Sequence, residues 1–211
     1  MDQTIAIAEI LAAFVAAGNT FSGPIPSGKA SDLRLEFGNG GNHIHFGERC
    51  QVTKLRIASK SGGCRLEFND DTRIFGYLRI EDGSSIKVGA RTYFQKPVKL
   101  ILYEGTTISI GEDCLLSNCT LRTCDQHSIF DAATGERINQ SSDVTLEDRV
   151  WIAEEAVIQK GVTIGHDCMI GSHSVVTKSF APGSLIAGIP ARLIRQGIRW
   201  DRKLHREPAR K

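Results

Sequence analysis

A six-residue repeat between Val144 and Val176 constrains the fold of this chain more than any other feature. Small or aliphatic residues recur at every sixth position, and a second aliphatic column follows two residues later. The first column is Val144, Val150, Ala156, Val162, Cys168 and Ser174, and the second is Leu146, Ile152, Ile158, Ile164, Ile170 and Val176. A helix drifts out of phase with a period of six, and one ordinary strand is too short to hold it. Hexapeptide periodicity is typical of a parallel β-helix.

The repeat also predicts which residues stack. Three hexapeptides make one triangular coil, so residues eighteen apart lie above one another, about 4.8 Å apart, and the two columns fill a narrow aliphatic interior. From Leu33 to Ile110 the pattern is degenerate, with fragments such as Ile86-Lys-Val-Gly89. We therefore expect an all-β domain, a parallel β-helix over residues 32–190, interrupted by a polar, turn-rich loop at 121–143 that carries functional residues.

The two ends of the chain differ from the coils. Residues 3–17 have apolar residues at helical spacing and precede a stretch rich in Gly, Pro and Ser, so residues 1–31 are predicted to form a helix followed by a loop. A secretion signal is disfavoured, because the segment opens with Asp2 and has no basic start. Residues 191–211 are predicted to form a short helix opened by Pro190, which caps the solenoid, and a basic tail.

Composition narrows the class of protein. The 211 residues carry a net charge of only +2, and the basic tail lacks the interleaved aromatic residues and motifs of nucleic-acid binding. No apolar run approaches the length of a membrane span. The six cysteines form no C-x-x-C pair, so we expect reduced thiols in a cytoplasmic protein and not a disulfide framework. His43 and His45 alternate along a strand without a third ligand nearby in sequence, and no metal site is predicted.

Five motifs in the second half of the chain occur together in a known family. They are DQHSIFD around His127, TGERIN at 134–139, DV-x6-WIA at 143–153, VVTKSF at 175–180 and IAGIPARLIR at 186–195. On these residues the chain resembles the left-handed β-helix acetyltransferases of the hexapeptide class. Within that class it is similar to the bacterial capsule O-acetyltransferases, including those that modify polysialic acid. The resemblance implies a left-handed winding, a homotrimer with active sites between neighbouring subunits, and acetyl-CoA as donor.

The resemblance also implies roles for individual residues. His127 matches the general base that acts directly on the acceptor hydroxyl, and Trp151 matches a tryptophan beside the CoA thioester. In the similar enzymes the pantetheine arm follows a column of stacked residues and uses backbone N–H groups, and a threonine-lysine pair meets the phosphorylated end of CoA. The matching residues here are Ala153, Glu154, Gly171, Ser172, Thr177 and Lys178, and Pro190 and Arg192 are further candidates for binding CoA.

Simpler interpretations exist for several of these residues. On sequence grounds alone, His127 is equally compatible with a general base and with an exposed loop histidine that has no catalytic role. Histidine as a residue type suits a base, because its ordinary pKa lies near neutrality. Trp151 faces outward and suits a contact between subunits. Asp125 and Asp131 flank His127 and either orient its ring or shape the turn. Arg192 is compatible with a solvated surface charge.

The predicted function is acetyl-CoA-dependent O-acetylation of a carbohydrate, with a sialic-acid-containing or other capsular polysaccharide as the expected acceptor. Three alternatives stay open. One is a small acceptor, such as a free or nucleotide-linked sugar or an antibiotic. The second is a non-catalytic hexapeptide scaffold. The third is a metal-bearing hydrolase, for which the strong repeat supplies only His166 and His173.

Overall fold

The structure, a computed structural model, describes residues 3–205, with side chains from Ile7 onward; residues 1–2 and the end of the predicted basic tail, 206–211, lie outside it. It contains α1 (Gln3–Ala16) and a 3-10 turn at Ala30–Asp32. The strands are β1 (Thr20–Ser22), β2 (Leu33–Phe37), β3 (His43–Phe46), β4 (Gln51–Ser59), β5 (Arg65–Phe68), β6 (Arg73–Ile80), β7 (Ser85–Val88), β8 (Tyr93–Phe94), β9 (Val98–Leu102), β10 (Thr107–Ile110), β11 (Leu115–Leu116), β12 (Thr120–Arg122), β13 (Val144–Leu146), β14 (Trp151–Ile152), β15 (Val157–Ile158), β16 (Thr163–Ile164), β17 (Met169–Ile170), β18 (Val175–Val176), β19 (Ser184–Gly188) and β20 (Ala191–Gln196).

The strands stack into a three-sided solenoid, because each pairs in parallel with the equivalent strand of the next coil. Face 1 consists of β1, β3, β5, β7, β10, β13 and β16. Face 2 consists of the first halves of β4 and β6, then β8, β11, β14, β17 and β19. Face 3 consists of β2, the second halves of β4 and β6, then β9, β12, β15 and β18. The predicted parallel β-helix is confirmed.

The two predicted columns form the interior of the solenoid. All twelve of their side chains are at most 1% exposed. Thr145 pairs with Thr163, eighteen residues later, as the repeat predicts. In the N-terminal half the coils are longer, since His43 pairs with Arg65. These wider coils bury larger side chains, and the rings of Phe46 and Phe68 stack with centroids 5.2 Å apart. Extra residues per coil explain why the hexapeptide pattern is degenerate there.

Helix α1 is present where the sequence predicts it, and it covers the N-terminal end of the interior. Its buried side chains, Ile7, Leu11 and Phe14, lie on one helical face and join the core of the first coils. The segment after the helix differs from the predicted loop, because β1 lies within it and pairs with β3. Face 1 therefore begins before residue 32. Among residues 3–205, no helix has the length and apolar character needed to cross a membrane.

The predicted C-terminal helix is wrong. Residues 191–196 form β20, which pairs antiparallel with β19 on face 2. Without β20 the outer edge of β19 would be unpaired, and β20 satisfies it. The apolar residues that suggested a buried helical face are not buried: Leu193 is 49% exposed and Ile194 is 61% exposed. In β20 only Ala191 is buried. A helix here would have had no apolar surface to cover.

The six cysteines are all free and buried, in agreement with the prediction of reduced thiols. Burial raises the pKa of Cys119 to about 12, and it raises the pKa of Cys114 likewise to about 12. In the unfolded chain a thiol titrates near its ordinary pKa of about 8.5. Between these values the unfolded state has lost the proton that the folded state keeps.

We therefore expect the free energy of unfolding to fall as the pH rises above about 8.5, and to be insensitive to these thiols below it. Urea denaturation at neutral and alkaline pH measures this change. Cys119→Ala should reduce the alkaline loss, because the folded state then has one fewer protonated thiol. Equal alkaline loss in the variant, or rapid labelling of Cys119 in the native protein, would contradict the assignment.

Candidate functional site

The loop that carries His127 leaves the solenoid between face 3 and face 1, an edge that we call the loop corner. It runs from residue 123 to residue 143, close to the predicted 121–143, and folds into a small hairpin with a bridge between Phe130 and Arg137. Asp131 closes the hairpin turn, because its Oδ1 accepts hydrogen bonds from the N–H groups of Ala133 and Thr134 at 2.8 Å each. These bonds lower the pKa of Asp131.

Two ion pairs fix the loop to the loop corner of the neighbouring coils. Arg137 binds Glu104, between β9 and β10, and the guanidinium lowers the pKa of that carboxyl to about 2. Lys160, between β15 and β16, binds Asp125 and also donates to the carbonyl of Asn139 at 3.1 Å. The loop is therefore held from the coil before it and from the coil after it.

Asn139 holds the backbone of the loop at His127 and Ile129. This asparagine is 7% exposed. Its Nδ2 donates to the carbonyl of His127 at 2.8 Å and to Asp125 Oδ2 at 2.9 Å, while its Oδ1 accepts from the N–H of Ile129 at 2.7 Å. Sequence reasoning recognised Asn139 only as the end of the TGERIN motif and not as a positioning residue.

The imidazole of His127 is exposed. Among the residues that the structure describes, none hydrogen-bonds to this ring. Asp131 shapes the hairpin turn, and Asp125 is bound to Lys160 and Asn139, so neither carboxylate orients the histidine ring in the isolated chain. The backbone under His127 is thus fixed, while its side chain is available to an incoming group.

For the predicted role of His127 as general base, Asn139→Ala is expected to lower the turnover number about ten- to a hundredfold, because it frees the backbone that sets the position of His127. The KM for acetyl-CoA, the donor that the resemblance implies, should change little. Gln140→Ala is the matched control, since Gln140 is the adjacent, exposed amide. Steady-state kinetics of the two variants, with circular dichroism to verify folding, measure the difference. Equal kinetics for both would remove Asn139 as a positioning residue.

Trp151 lies on face 2, in β14, and points outward. Its ring is half-buried because Trp200 from the C-terminal segment packs beside it, with ring centroids 5.9 Å apart. Trp200 is held in turn by Arg149, since the indole N–H donates to the Arg149 carbonyl and the Arg149 guanidinium donates to the Trp200 carbonyl at 3.0 Å. A lone tryptophan in a basic segment was the only sequence signal for this contact.

The structure does not bring His127 and Trp151 together within one chain. In a three-sided solenoid, face 2 lies opposite the corner between faces 3 and 1. Trp151 is on face 2, and both ion pairs of the loop lie at the loop corner. The histidine and the tryptophan are therefore on opposite sides of the chain.

The residues predicted to follow the pantetheine arm lie at the corner between faces 2 and 3. Ala153 stacks above Gly171, as predicted, but the N–H of Ala153 donates to the carbonyl of Ile170 at 2.9 Å. The N–H of Gly171 donates to the carbonyl of Ile186 at 2.8 Å. Both amides thus belong to the coil-to-coil ladder, which corrects the expectation that they are free to bind a ligand.

The acidic charge at this corner is partly compensated. Glu154 is exposed and forms an ion pair with Lys96, which lies at the same corner between β8 and β9. Ser172, stacked below Glu154, is exposed. A ligand that approaches this corner therefore meets a paired carboxylate and an accessible hydroxyl.

The remaining predicted cofactor residues lie elsewhere. Thr177 and Lys178 are exposed at the loop corner, where the Lys178 ammonium lies 5.6 Å from the centroid of the Phe180 ring. Pro190 is exposed in the turn between β19 and β20, and Arg192 is exposed near the start of β20. One chain thus distributes the predicted cofactor residues over two corners and the terminal hairpin.

His43 and His45 contact hydroxyl groups. Thr20 Oγ1 lies 2.8 Å from His43 Nδ1, and Ser22 Oγ lies 2.9 Å from His45 Nδ1. Within residues 3–205, no three His, Cys, Asp or Glu side chains converge as a metal-binding group.

Comparisons with known proteins agree with this fold. Residues 143–178 match the family model described as bacterial transferase hexapeptide (six repeats). The polysialic acid O-acetyltransferase of Neisseria meningitidis is 33% identical over 167 residues, which cover 78% of this chain and 77% of that protein. The galactoside O-acetyltransferase of Escherichia coli (strain K12) is 32% identical over 114 residues, which cover 54% of this chain and 55% of that protein.

A solved structure extends the similarity over the degenerate coils. The polySia-specific acetyltransferase NeuO superposes with a TM-score of 0.82 at 26% identity, covering 90% of this chain and 82% of that one. The shared fold thus includes the N-terminal half, where the repeat is weak in sequence. With similarity of sequence and fold over most of both chains, this protein belongs to the hexapeptide-repeat O-acetyltransferase family.

Proposed function

We propose that this protein transfers the acetyl group of acetyl-CoA to a hydroxyl of an anionic polysaccharide, with His127 as general base. The observation that carries the proposal is how the loop holds and exposes His127. Its backbone is fixed by Asn139, while its exposed ring has no hydrogen bond to any described residue. In a member of an O-acetyltransferase family, a fixed and accessible histidine suits proton transfer from an acceptor.

The chemistry needs one base and one electrophile. The imidazole accepts the proton of the acceptor hydroxyl as its oxygen attacks the thioester carbonyl. The tetrahedral intermediate carries an oxyanion, which donors in the site must stabilise. Collapse breaks the carbon–sulfur bond, and the imidazolium returns its proton to the CoA thiolate. The acetyl group moves directly, and no acyl-enzyme forms.

The proposed active unit is a homotrimer in which each site combines two subunits. This assembly is supported by the opposite placement of His127 and Trp151, because a loop that projects from one subunit would have to reach face 2 of another to meet the tryptophan. Closed rotational symmetry then gives every subunit the same contact.

Acetyl-CoA is the proposed donor. Trp151 lines the thioester end, the corner of Ala153, Glu154, Gly171 and Ser172 follows the pantetheine arm, and Thr177, Lys178, Pro190 and Arg192 meet the phosphorylated end. Lys178 supports this role because no described carboxylate pairs with it, so its charge is available to a phosphate. Since acetyl-CoA is the donor, we expect the enzyme to work in the cytoplasm.

Thiol release from acetyl-CoA tests the proposal directly. Purified protein is mixed with acetyl-CoA and, separately, with polymers of sialic acid, uronic acid and neutral sugar, and with their monomers. We expect release with an anionic polymer well above the rate without acceptor. The absence of release with every acceptor would overturn the proposed activity.

A small acceptor is the second candidate, and the similarity to a galactoside O-acetyltransferase favours it. The same assay separates the two. A free sugar or simple galactoside that is acetylated as efficiently as any polymer would support the small acceptor.

A further inference from the structure

An outward-facing column on face 2 leads from Trp151 toward the N-terminal coils. Trp151 pairs with Leu115, Leu115 pairs with Tyr93, and Tyr93 pairs with Arg73. At about 4.8 Å per coil, Tyr93 lies about 10 Å and Arg73 about 14 Å from Trp151 along the solenoid. An open groove of about 570 Å³ follows this column, lined by residues that include Gln51, Arg73, Phe75, Tyr93, Leu115 and Arg202.

Tyr93 lies between two guanidinium groups. The Cζ of Arg73 is 4.6 Å from the ring centroid, and the Cζ of Arg202 is 4.3 Å from it. Arg202 comes from the C-terminal segment, and its Nη2 donates to the carbonyls of Arg91 at 2.6 Å and Cys114 at 3.2 Å. The C-terminal segment is held a second time at Trp200, whose indole N–H donates to the Arg149 carbonyl. These contacts fix Arg202 over the Tyr93 ring.

In the described part of the chain, Arg73 and Arg202 lack the ion pairs with carboxylates that most other arginines of the solenoid form. Arg49, Arg56, Arg91 and Arg149 each form an ion pair with an Asp or Glu of a neighbouring coil. No described carboxylate forms an ion pair with Arg73 or Arg202. Two cations beside one ring repel each other, and an anion bound between them would relieve that repulsion. Guanidinium groups bind carboxylates in a bidentate geometry.

We propose that this groove binds carboxylate-bearing sugar units of the acceptor chain, next to the unit that is acetylated at Trp151. Arg73 and Arg202 bind the sugar carboxylates, and Tyr93 positions the two guanidinium groups through its ring. Since Tyr93 and Arg73 lie about 10 Å and about 14 Å from Trp151, the cationic part of the groove holds units other than the reacting one. The assignment rests on the proposed function for its acceptor class, and it explains how a polymer would be preferred over its monomer.

The test separates glycan binding from catalysis. Binding of oligomers of sialic acid and uronic acid to the full chain, without acetyl-CoA, is measured by calorimetry for the wild type, Arg73→Ala and Tyr93→Ala. Arg65→Ala is the matched control, because Arg65 is an exposed arginine of face 1 that likewise has no described carboxylate partner. Circular dichroism and thermal melting verify that each variant is folded.

We expect Arg73→Ala and Tyr93→Ala to weaken binding of an anionic oligomer about tenfold, and Arg65→Ala to leave it unchanged. In kinetics the KM for the polymer should rise by a similar factor, with the KM for acetyl-CoA unchanged. Equal weakening by Arg65→Ala would mean a diffuse charge effect and would overturn the site, as would a wild type that binds no anionic oligomer. Groove-dependent binding without acetyl transfer to any acceptor would instead overturn the proposed function and keep the site.

Discussion

His127→Ala lowers the turnover of acetyl transfer by a factor of about 10² to 10⁴, the usual loss when a general base is removed. The loss should appear in the turnover number and not in the KM for acetyl-CoA, because the histidine acts on the acceptor proton.

His166→Ala is the control for this experiment. His166 is also an exposed histidine at a coil corner, 59% exposed, and it lies outside the proposed site. We expect the control to retain wild-type kinetics and both variants to melt at the same temperature, since neither side chain contributes to the core. A His127→Ala enzyme with full turnover would exclude the residue as the base and favour a non-catalytic role for the loop.

Mixed trimers of His127→Ala and Trp151→Ala subunits should regain activity that neither variant has alone. Each proposed site takes its histidine from one subunit and its tryptophan from another, so a Trp151→Ala subunit can supply an intact histidine to a His127→Ala neighbour. In every trimer that contains both kinds of subunit, one of the three sites combines both intact residues, so roughly a third of the sites are complete. Co-expression with two different affinity tags, followed by purification on both, isolates these mixed assemblies.

The control for complementation is the double variant, His127→Ala with Trp151→Ala on one chain, mixed with a second copy of itself. It should stay inactive, because no site can then be complete. If the mixed single variants also stay inactive while they form stable assemblies, each site must lie within a single subunit. Recovery to about a third of wild-type turnover would support sites between subunits.

The interior of the solenoid could be predicted residue by residue from the C-terminal repeat. Each small or aliphatic position between Val144 and Val176 is fixed by the need to fill a narrow core, so burial follows directly from periodicity. The N-terminal coils were harder to predict, because longer strands on faces 1 and 3 break the six-residue period while the stacking continues. The longer coils become visible only in the strand pairing of the structure, where His43 pairs with Arg65 and Ser85 pairs with Thr107.

In the terminal hairpin of β19 and β20, the spacing of apolar residues did not predict the secondary structure. Leu193 and Ile194 have spacing compatible with a helix, but backbone hydrogen bonding to the last coil decided the conformation. Such pairing depends on an edge that only the folded chain presents. Likewise, the contacts of Asn139 join residues on either side of the loop, and the contact between Trp151 and Trp200 joins distant segments, so local sequence did not predict either one.

Strand β20 also limits how copies of this protein can join. An open parallel ladder invites another chain to add strands, and a stack of coils could in principle grow into a filament through its ends. At one end α1 covers the first coils, and at the other β20 covers face 2 with an antiparallel strand that carries Arg192 and Arg195. The sides of the solenoid are therefore left for contact between copies, and assemblies of limited size are favoured over indefinite ones.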